Sequence, residues 1–245
     1  MSIEKFIIDD AIKSFQDFMD SIKIDGENSR YKSWEHCYLE FYKARSKQVK
    51  DYDYLSLHLA FYLASWGMYR GSSFLLQRDY KIHIPAVEII LQSDYDLLMG
   101  INCNSLEENF NILDKLNDDL VGYYEKIRQK VYGNTKVKEK VSSTLITKIL
   151  MGTLGCIPAY DRFFISGIKR AKISTGNYNE ASLSKLIEFY KENNEKLEQI
   201  RNNSQIKSNS LNIKYPQMKI LDMIFWNLGY KSDNINSKKT HHKAV

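Results

Sequence analysis

Apolar side chains recur every three or four positions along almost the whole chain, which is the period of a helix with one buried face. The clearest example begins at the capping pattern Ser105-Leu106-Glu107-Glu108 and runs to a helix stop at Gly133-Asn134. No segment shows the convincing two-residue alternation of a strand. The pattern predicts an all-α fold, a multi-helix bundle of about nine helices. The inward positions of the clearest helix alternate spacings of four and three residues, as in a coiled-coil seam with one polar member: Leu106, Phe110, Leu113, Asn117, Leu120, Tyr124, Ile127 and Val131.

The composition agrees with long helices in one domain. The 245 residues include only 3 prolines and 11 glycines, which disfavours a turn-rich β fold. We expect residues 1–230 to form a single domain, with a sub-bundle boundary near 133–135 and a loop at 202–215. The net charge is +5, but residues 231–245 supply +3 of it and are predicted to form a disordered basic tail. Charge by itself therefore says little about a nucleic-acid partner.

Three isolated cysteines, Cys37, Cys103 and Cys156, lack the spacing of a zinc site or a disulfide framework. The opening stretch has no basic region followed by an apolar core, as a secretion signal would have. Walker loops, dinucleotide fingerprints and HExxH motifs do not occur in the sequence. We therefore expect a cytoplasmic protein with no metal ion and no cofactor.

Residues 53–77 form the most apolar stretch and are predicted to be the central helix of the bundle. Small residues at helical spacing, including Ala64 and Gly67, would let a neighbouring backbone approach closely. A helix of this length could span a bilayer. However, His58 and Arg70 make insertion costly, by about 2.5–3.5 kcal/mol for a central arginine. We therefore predict a core helix and no membrane partner.

Arg70 is the anomaly of that predicted helix, because an arginine keeps its charge and must meet an acid, carbonyl groups or an anion when it is buried. One interpretation is a structural ion pair, or a stem that lies along Trp66 with its head in solvent. The other is a ligand site where Arg70, Trp66 and Ser73 contact a phosphate, a carboxylate or a base. Tyr69 would line the same cavity. Both interpretations stay open at this point.

Residues 147–164, "TKILMGTLGCIPAYDRFF", carry Lys148 on one helix and Asp161 near the start of the next. The stretch resembles a TKxL…PxxD pattern of helical bacterial proteins and is remotely similar to the Lys/Asp region of helix-hairpin-helix DNA glycosylases. That resemblance implies that Lys148 is a Schiff-base nucleophile acting on a flipped nucleotide, with Asp161 as its electrostatic partner. The alternative is a lysine on a solvated helix side and an acid that complements a helix dipole.

Residues 78–83, "RDYKIH", contain Arg78 and His83 with four residues between them. The pair resembles the R-x4-6-H signature of HEPN ribonucleases, all-α proteins of bacterial defence and toxin systems. The resemblance implies that Arg78 and His83 form a composite dimer site that cleaves RNA. Histidine would move a proton near neutral pH, and arginine would stabilise charge on the phosphorus centre. The alternative is a surface arginine beside a connector histidine.

The leading hypothesis is a nucleic-acid-associated bacterial protein, a base-processing or defence component, with Lys148 and Asp161 as catalytic residues. A ribonuclease that uses Arg78 and His83 is the enzymatic alternative. The third class is a non-enzymatic bundle that binds a small anionic ligand at Arg70 or docks a partner protein along the seam of residues 106–131. A homodimer is compatible with each of these hypotheses.

Overall fold

The computed structural model describes residues 3–47, 49–71, 73–132, 140–208 and 211–241. These ranges hold eleven α-helices and one antiparallel hairpin, so the all-α class is confirmed. The helix bounds are α1 (Ile3–Asp25), α2 (Lys32–Arg45), α3 (Tyr52–Ser65), α4 (Ile84–Ile90), α5 (Cys103–Glu108), α6 (Phe110–Tyr132), α7 (Ser143–Thr153), α8 (Arg162–Arg170), α9 (Glu180–Glu192), α10 (Asn194–Asn202) and α11 (Gln217–His241). Three short 3-10 helices span Gly26–Asn28, Tyr80–His83 and Ser93–Leu98, and strands β1 (Gln205–Ser208) and β2 (Leu211–Lys214) pair with each other.

The described ranges contain eleven α-helices, two more than the predicted nine. The helix predicted from Ser105 to Gly133-Asn134 is divided, because a break at Asn109 separates α5 from α6. A similar break at Asn193 separates α9 from α10. The segment 202–215, predicted as a loop, contains the hairpin of β1 and β2. The boundary predicted near 133–135 lies outside the described residues.

The core is built around α7 and the first half of α11 rather than around residues 53–77. Every residue of α7 from Leu145 to Thr153 is buried, and so is every residue of α11 from Met218 to Asn227. A helix that is covered on all sides belongs at the centre of a bundle. The prediction of a central helix at residues 53–77 is therefore wrong.

Residues 53–77 do not form one helix, because α3 ends at Ser65 in a glycine-dependent turn. The backbone N–H of Met68 donates to the carbonyl of Leu63, and that of Gly67 donates to the carbonyl of Ala64. These two bonds are the Schellman arrangement, in which the residue after the C-cap takes a left-handed conformation. Gly67 has a φ of +75°, which glycine adopts at little cost.

Close contact between α8 and α11 depends on two glycines. A Cβ atom at Gly167 would overlap the carbonyl oxygen of Phe225, and one at Gly229 would overlap the carbonyl oxygen of Phe163. Helix α11 continues through Gly229 to His241. The segment predicted as a tail, 231–245, therefore begins inside a helix.

The seam of residues 106–131 faces the core. Leu106, Phe110, Leu113, Leu120 and Tyr124 are all buried within the chain itself. Asn117, Ile127 and Val131 of the same seam are partly buried, so the chain's own helices cover most of it. The geometry therefore gives the hypothesis of a partner protein docked along this seam no support. Within the described ranges, no helix combines the length and the hydropathy that a bilayer crossing requires.

Candidate functional site

A cavity of about 550 Å³ opens where the end of α3, the turn that follows it, and the starts of α7 and α8 meet. Its volume falls within the range of about 300–1,000 Å³ that is typical of ligand sites. The lining combines aromatic rings, three arginines, one lysine and one carboxylate. The residues are Arg30, Ala64, Ser65, Trp66, Gly67, Met68, Tyr69, Arg70, Thr144, Lys148, Asp161, Arg162, Phe163 and Trp226.

Asp161 is held at the cavity because it is the N-cap of α8. Its Oδ1 accepts hydrogen bonds from the backbone N–H groups of Phe163 (3.0 Å) and Phe164 (3.1 Å). Its Oδ2 lies 3.3 Å from Nζ of Lys148 and accepts a hydrogen bond of 3.2 Å from Nε1 of Trp226. Asp161 therefore has both predicted roles: it lies at the start of a helix as a complementary acid, and it contacts Lys148.

Lys148 lies on the buried helix α7, so its interpretation as a solvated side chain is wrong. Its Nζ donates a hydrogen bond of 2.9 Å to the carbonyl oxygen of Trp66 and forms the ion pair with Asp161. Burial lowers the pKa of the Lys148 amine, and the nearby charge of Arg70 adds to this effect. The charges of Asp161 and Asp222 act in the opposite direction. The site therefore holds an amine whose pKa is below its ordinary value.

Aromatic rings form part of the cavity lining. The centroid of the Trp226 ring lies 5.5 Å from that of Trp66 and 5.3 Å from that of Phe163, both in edge-to-face contact. Nζ of Lys148 lies 5.9 Å from the Trp66 centroid. Trp226 is buried and stacks on Tyr230, whereas Trp66 and Phe163 are partly exposed beside the buried amine and its carboxylate partner.

The three arginines of the lining are all exposed. Cζ of Arg30 lies 5.2 Å from the centroid of Tyr31, and Cζ of Arg162 lies 4.4 Å from that of Phe163. The interpretation of Arg70 as a buried structural ion pair is wrong, because the helix that would have buried it ends at Ser65 and its side chain is exposed. The Arg70 side chain lies over Gly67, where a Cβ atom would come within 2.9 Å of Cζ.

Three of the four predicted ligand residues, Trp66, Tyr69 and Arg70, line the cavity, and Ser73 does not. The Ser73 hydroxyl accepts a hydrogen bond of 3.3 Å from the backbone N–H of Leu75, so it stabilises its own turn. The sequence missed the contributions of Arg30 and Phe163, because periodicity does not show which helix ends meet.

A second buried ion pair lies near the first and was not predicted. Nζ of Lys219 and Oδ2 of Asp222 are 2.8 Å apart on α11, and Oδ1 of Asp222 accepts a hydrogen bond of 3.0 Å from the backbone N–H of Ala159. This bond ties α11 to the segment that carries Asp161. Two opposite charges inside the apolar run "MKILDMIFW" are the sequence signal that could have revealed the pair.

Arg78 and His83, the predicted ribonuclease pair, occupy different environments. His83 is buried, with Nε2 at 2.6 Å from the Tyr69 hydroxyl and Nδ1 at 2.6 Å from the Tyr124 hydroxyl. Burial lowers the pKa of His83 to about 4. Arg78 is exposed. A buried histidine with both ring nitrogens bonded has no access to RNA, so the geometry gives this interpretation no support.

Within the part of the chain that the structure describes, no three His, Cys, Asp or Glu side chains come together as a metal site would require. Comparison of the chain with protein-family models, with curated proteins and with solved structures returns no match. The functional assignment therefore depends on the chemistry of the cavity.

Proposed function

We propose that the protein binds nucleic acid and takes one everted nucleobase into the cavity lined by Trp66, Phe163 and Trp226. The observation that carries the proposal is the Lys148–Asp161 ion pair inside a cavity that also has aromatic rings and exposed arginines. The recognised ligand would be flat, apolar on its faces and linked to negative charge. A nucleotide has all three properties.

The aromatic lining supports base binding. Stacking of a base on an aromatic side chain is worth about 1–3 kcal/mol and does not depend on the base's identity. Hydrogen-bond groups inside the cavity, among them the Thr144 hydroxyl and the Lys148 amine, lie beside these rings. Stacking would therefore supply affinity, and the polar groups would select among bases.

The exposed arginines support contact with the phosphate backbone. Arg30, Arg70 and Arg162 all line the cavity that would hold the base, so the phosphates flanking an everted nucleotide would come near them. Arginine keeps its charge at every physiological pH and binds phosphate oxygens in a two-pronged geometry. We therefore expect affinity for single-stranded oligonucleotides that falls with added salt.

The ion pair supports base processing as the chemistry of the site. Asp161 would first take one proton from the Lys148 ammonium, which leaves a neutral amine with a free lone pair. The amine would bond to C1′ of the everted nucleotide as the glycosidic bond breaks and its electron pair leaves with the base, and Asp161 would pass its proton to the departing base. A second proton then moves from the nitrogen to O4′ as the sugar ring opens, which gives a protonated imine that borohydride reduces to a stable adduct. Loss of that adduct in Lys148→Arg tests this step separately from binding.

Binding is tested by fluorescence anisotropy of a labelled single-stranded oligonucleotide at several salt concentrations. Each lost phosphate contact should reduce the slope of log affinity against log salt by about 0.7 for a single strand. Arg70→Gln is expected to reduce both the affinity and the slope. Lys185→Gln, an exposed lysine on α9, is the matched control. Equal slopes in the wild type and Arg70→Gln, or no binding by the wild type, would overturn the proposal.

A small anionic ligand at Arg70 is the second candidate, because a free mononucleotide offers the same base and phosphate chemistry. Competition separates the two functions. Nucleic-acid binding is supported if the mononucleotide displaces the labelled oligonucleotide only at a concentration far above that at which unlabelled oligonucleotide does so. Equal affinity for the mononucleotide and the oligonucleotide would instead favour a nucleotide-binding protein.

A further inference from the structure

One face of α3 is apolar and exposed. Tyr54, Leu57 and Phe61 are 43%, 50% and 58% exposed, and Ala64 on the same face is also exposed. Their spacing of three, four and three residues is that of the a and d positions of a coiled coil. We propose that this face, the α3 stripe of Tyr54, Leu57, Phe61 and Ala64, pairs with the α3 stripe of a second copy of the chain in antiparallel orientation.

The chemistry of the helix favours a protein over a nucleic acid as the occupant. Residues 52–65 contain no lysine or arginine, and their one charged residue with a fixed sign at neutral pH is Asp53. A surface that contacts phosphates carries cations. The α3 stripe instead offers apolar side chains in a row, which is typical of a helix–helix contact.

The stripe is complementary to itself. In an antiparallel pair with its two-fold axis near residue 59, Leu57 of each copy lies opposite Phe61 of the other. The same register places the large Tyr54 of each copy opposite the small Ala64 of the other, so this contact also occurs twice in the dimer. An isologous interface needs this self-matching, and a pairs with d in antiparallel coiled coils by the same geometry.

Charge at the two ends of the stripe is complementary in the same orientation. The acidic residues Asp51 and Asp53 lie at the start of α3, and the exposed cation Arg70 lies just beyond its end. The register that pairs Leu57 with Phe61 brings Asp51 of one copy opposite Gly67 of the other. Because Ala64 and Gly67 also line the cavity, the second copy would border the cavity opening.

Sedimentation equilibrium of the full chain tests the pairing. The wild type should be dimeric at micromolar concentration, and Leu57→Glu and Phe61→Glu should each raise the dimer dissociation constant at least tenfold. Leu97→Glu, which changes a leucine of similar exposure (43%) on a 3-10 helix, is the matched control. These substitutions are at exposed positions, so folding is preserved. A wild-type monomer at 100 μM, or a dimer that Leu57→Glu and Phe61→Glu leave intact, would overturn the proposal.

Cysteine cross-linking tests the register. The native Cys37, Cys103 and Cys156 are buried, so new surface thiols react selectively. An equimolar mixture of Leu57→Cys and Phe61→Cys chains should form oxidised dimers in higher yield than either variant alone. Highest yield from Leu57→Cys alone would indicate parallel pairing and would contradict the antiparallel proposal, as would equal yields in all three samples.

Discussion

At the scale of single residues, Asp161 connects the stability of the fold to the candidate chemistry. One of its oxygens caps α8, and the other meets Lys148 and Trp226. Both charged side chains of the pair are nearly fully covered. Burial of two charges costs free energy that their attraction only partly offsets, so removal of one partner leaves an uncompensated buried charge.

Asp161→Asn should therefore destabilise the protein far more than loss of a helix cap does. Asparagine caps helices about as well as aspartate, so its oxygen keeps the cap. Its NH2 group replaces the oxygen that pairs with Lys148 and accepts from Trp226, so the charge and that acceptor are both lost. We expect the free energy of unfolding in urea to fall by about 3–5 kcal/mol. The double variant Lys148→Met with Asp161→Asn should recover part of this loss. A cost below about 1 kcal/mol for Asp161→Asn alone would show that Lys148 needs no carboxylate.

His83 should make stability depend on pH. Its folded pKa of about 4 is below the ordinary value of 6.5, so the unfolded chain binds more protons between these two values. The contribution is complete above pH 6.5, decreases as the pH falls towards 4, and totals about 3 kcal/mol. Urea unfolding between pH 7 and pH 3.5 measures it. His83→Asn should flatten this dependence, whereas the exposed His36→Asn should not. Parallel curves for the wild type and His83→Asn would contradict the assignment.

At the scale of elements, the crossing of α8 over α11 positions Asp161. Asp161 caps α8, and Trp226 on α11 donates to it, so the distance between the two helices sets that contact. Gly167 permits this distance because a side chain there would meet the carbonyl of Phe225. Close backbone contact is one of the few reasons for a glycine inside a helix.

Gly167→Ala should lower the free energy of unfolding by about 1–3 kcal/mol, because the added methyl group forces the helices apart. Gly122→Ala is the matched control on α6, where a Cβ atom would have nothing within 4 Å. That substitution should raise stability by up to about 1 kcal/mol, since alanine favours the helix. Thermal or urea unfolding compares the two variants. A stabilising Gly167→Ala would contradict the close crossing.

At the scale of the whole molecule, sequence periodicity predicts the helical class, whereas contacts between distant segments complete the cavity. The period of three to four predicts the helical class because it reports burial along a single element. The resemblance stated for residues 147–164 implied that Lys148 and Asp161 are partners, and the structure places their charged groups 3.3 Å apart. Both residues lie on one short helix–turn–helix stretch, so a short sequence pattern includes them together.

Features that join distant segments could not be predicted in this way. Asp222 on α11, which pairs with Lys219, accepts a hydrogen bond from the backbone N–H of Ala159, and no local pattern encodes that approach. The end of α3 was missed for a different reason, because Gly67 was interpreted as a small packing residue. Its position after an apolar helix also fits a Schellman cap, and the φ of +75° shows that the cap prevails. Arg70 is exposed as a consequence.

The central claim, that the cavity receives a nucleobase, is tested most directly by photo-cross-linking. An oligonucleotide that carries one 5-iodouracil is irradiated with the full-length protein, and the modified residue is identified by peptide mass spectrometry. We predict adducts on Trp66, Phe163 or Trp226, and their loss when unlabelled oligonucleotide competes. Adducts that map only to residues outside the cavity, with none on these three rings, would contradict the claim.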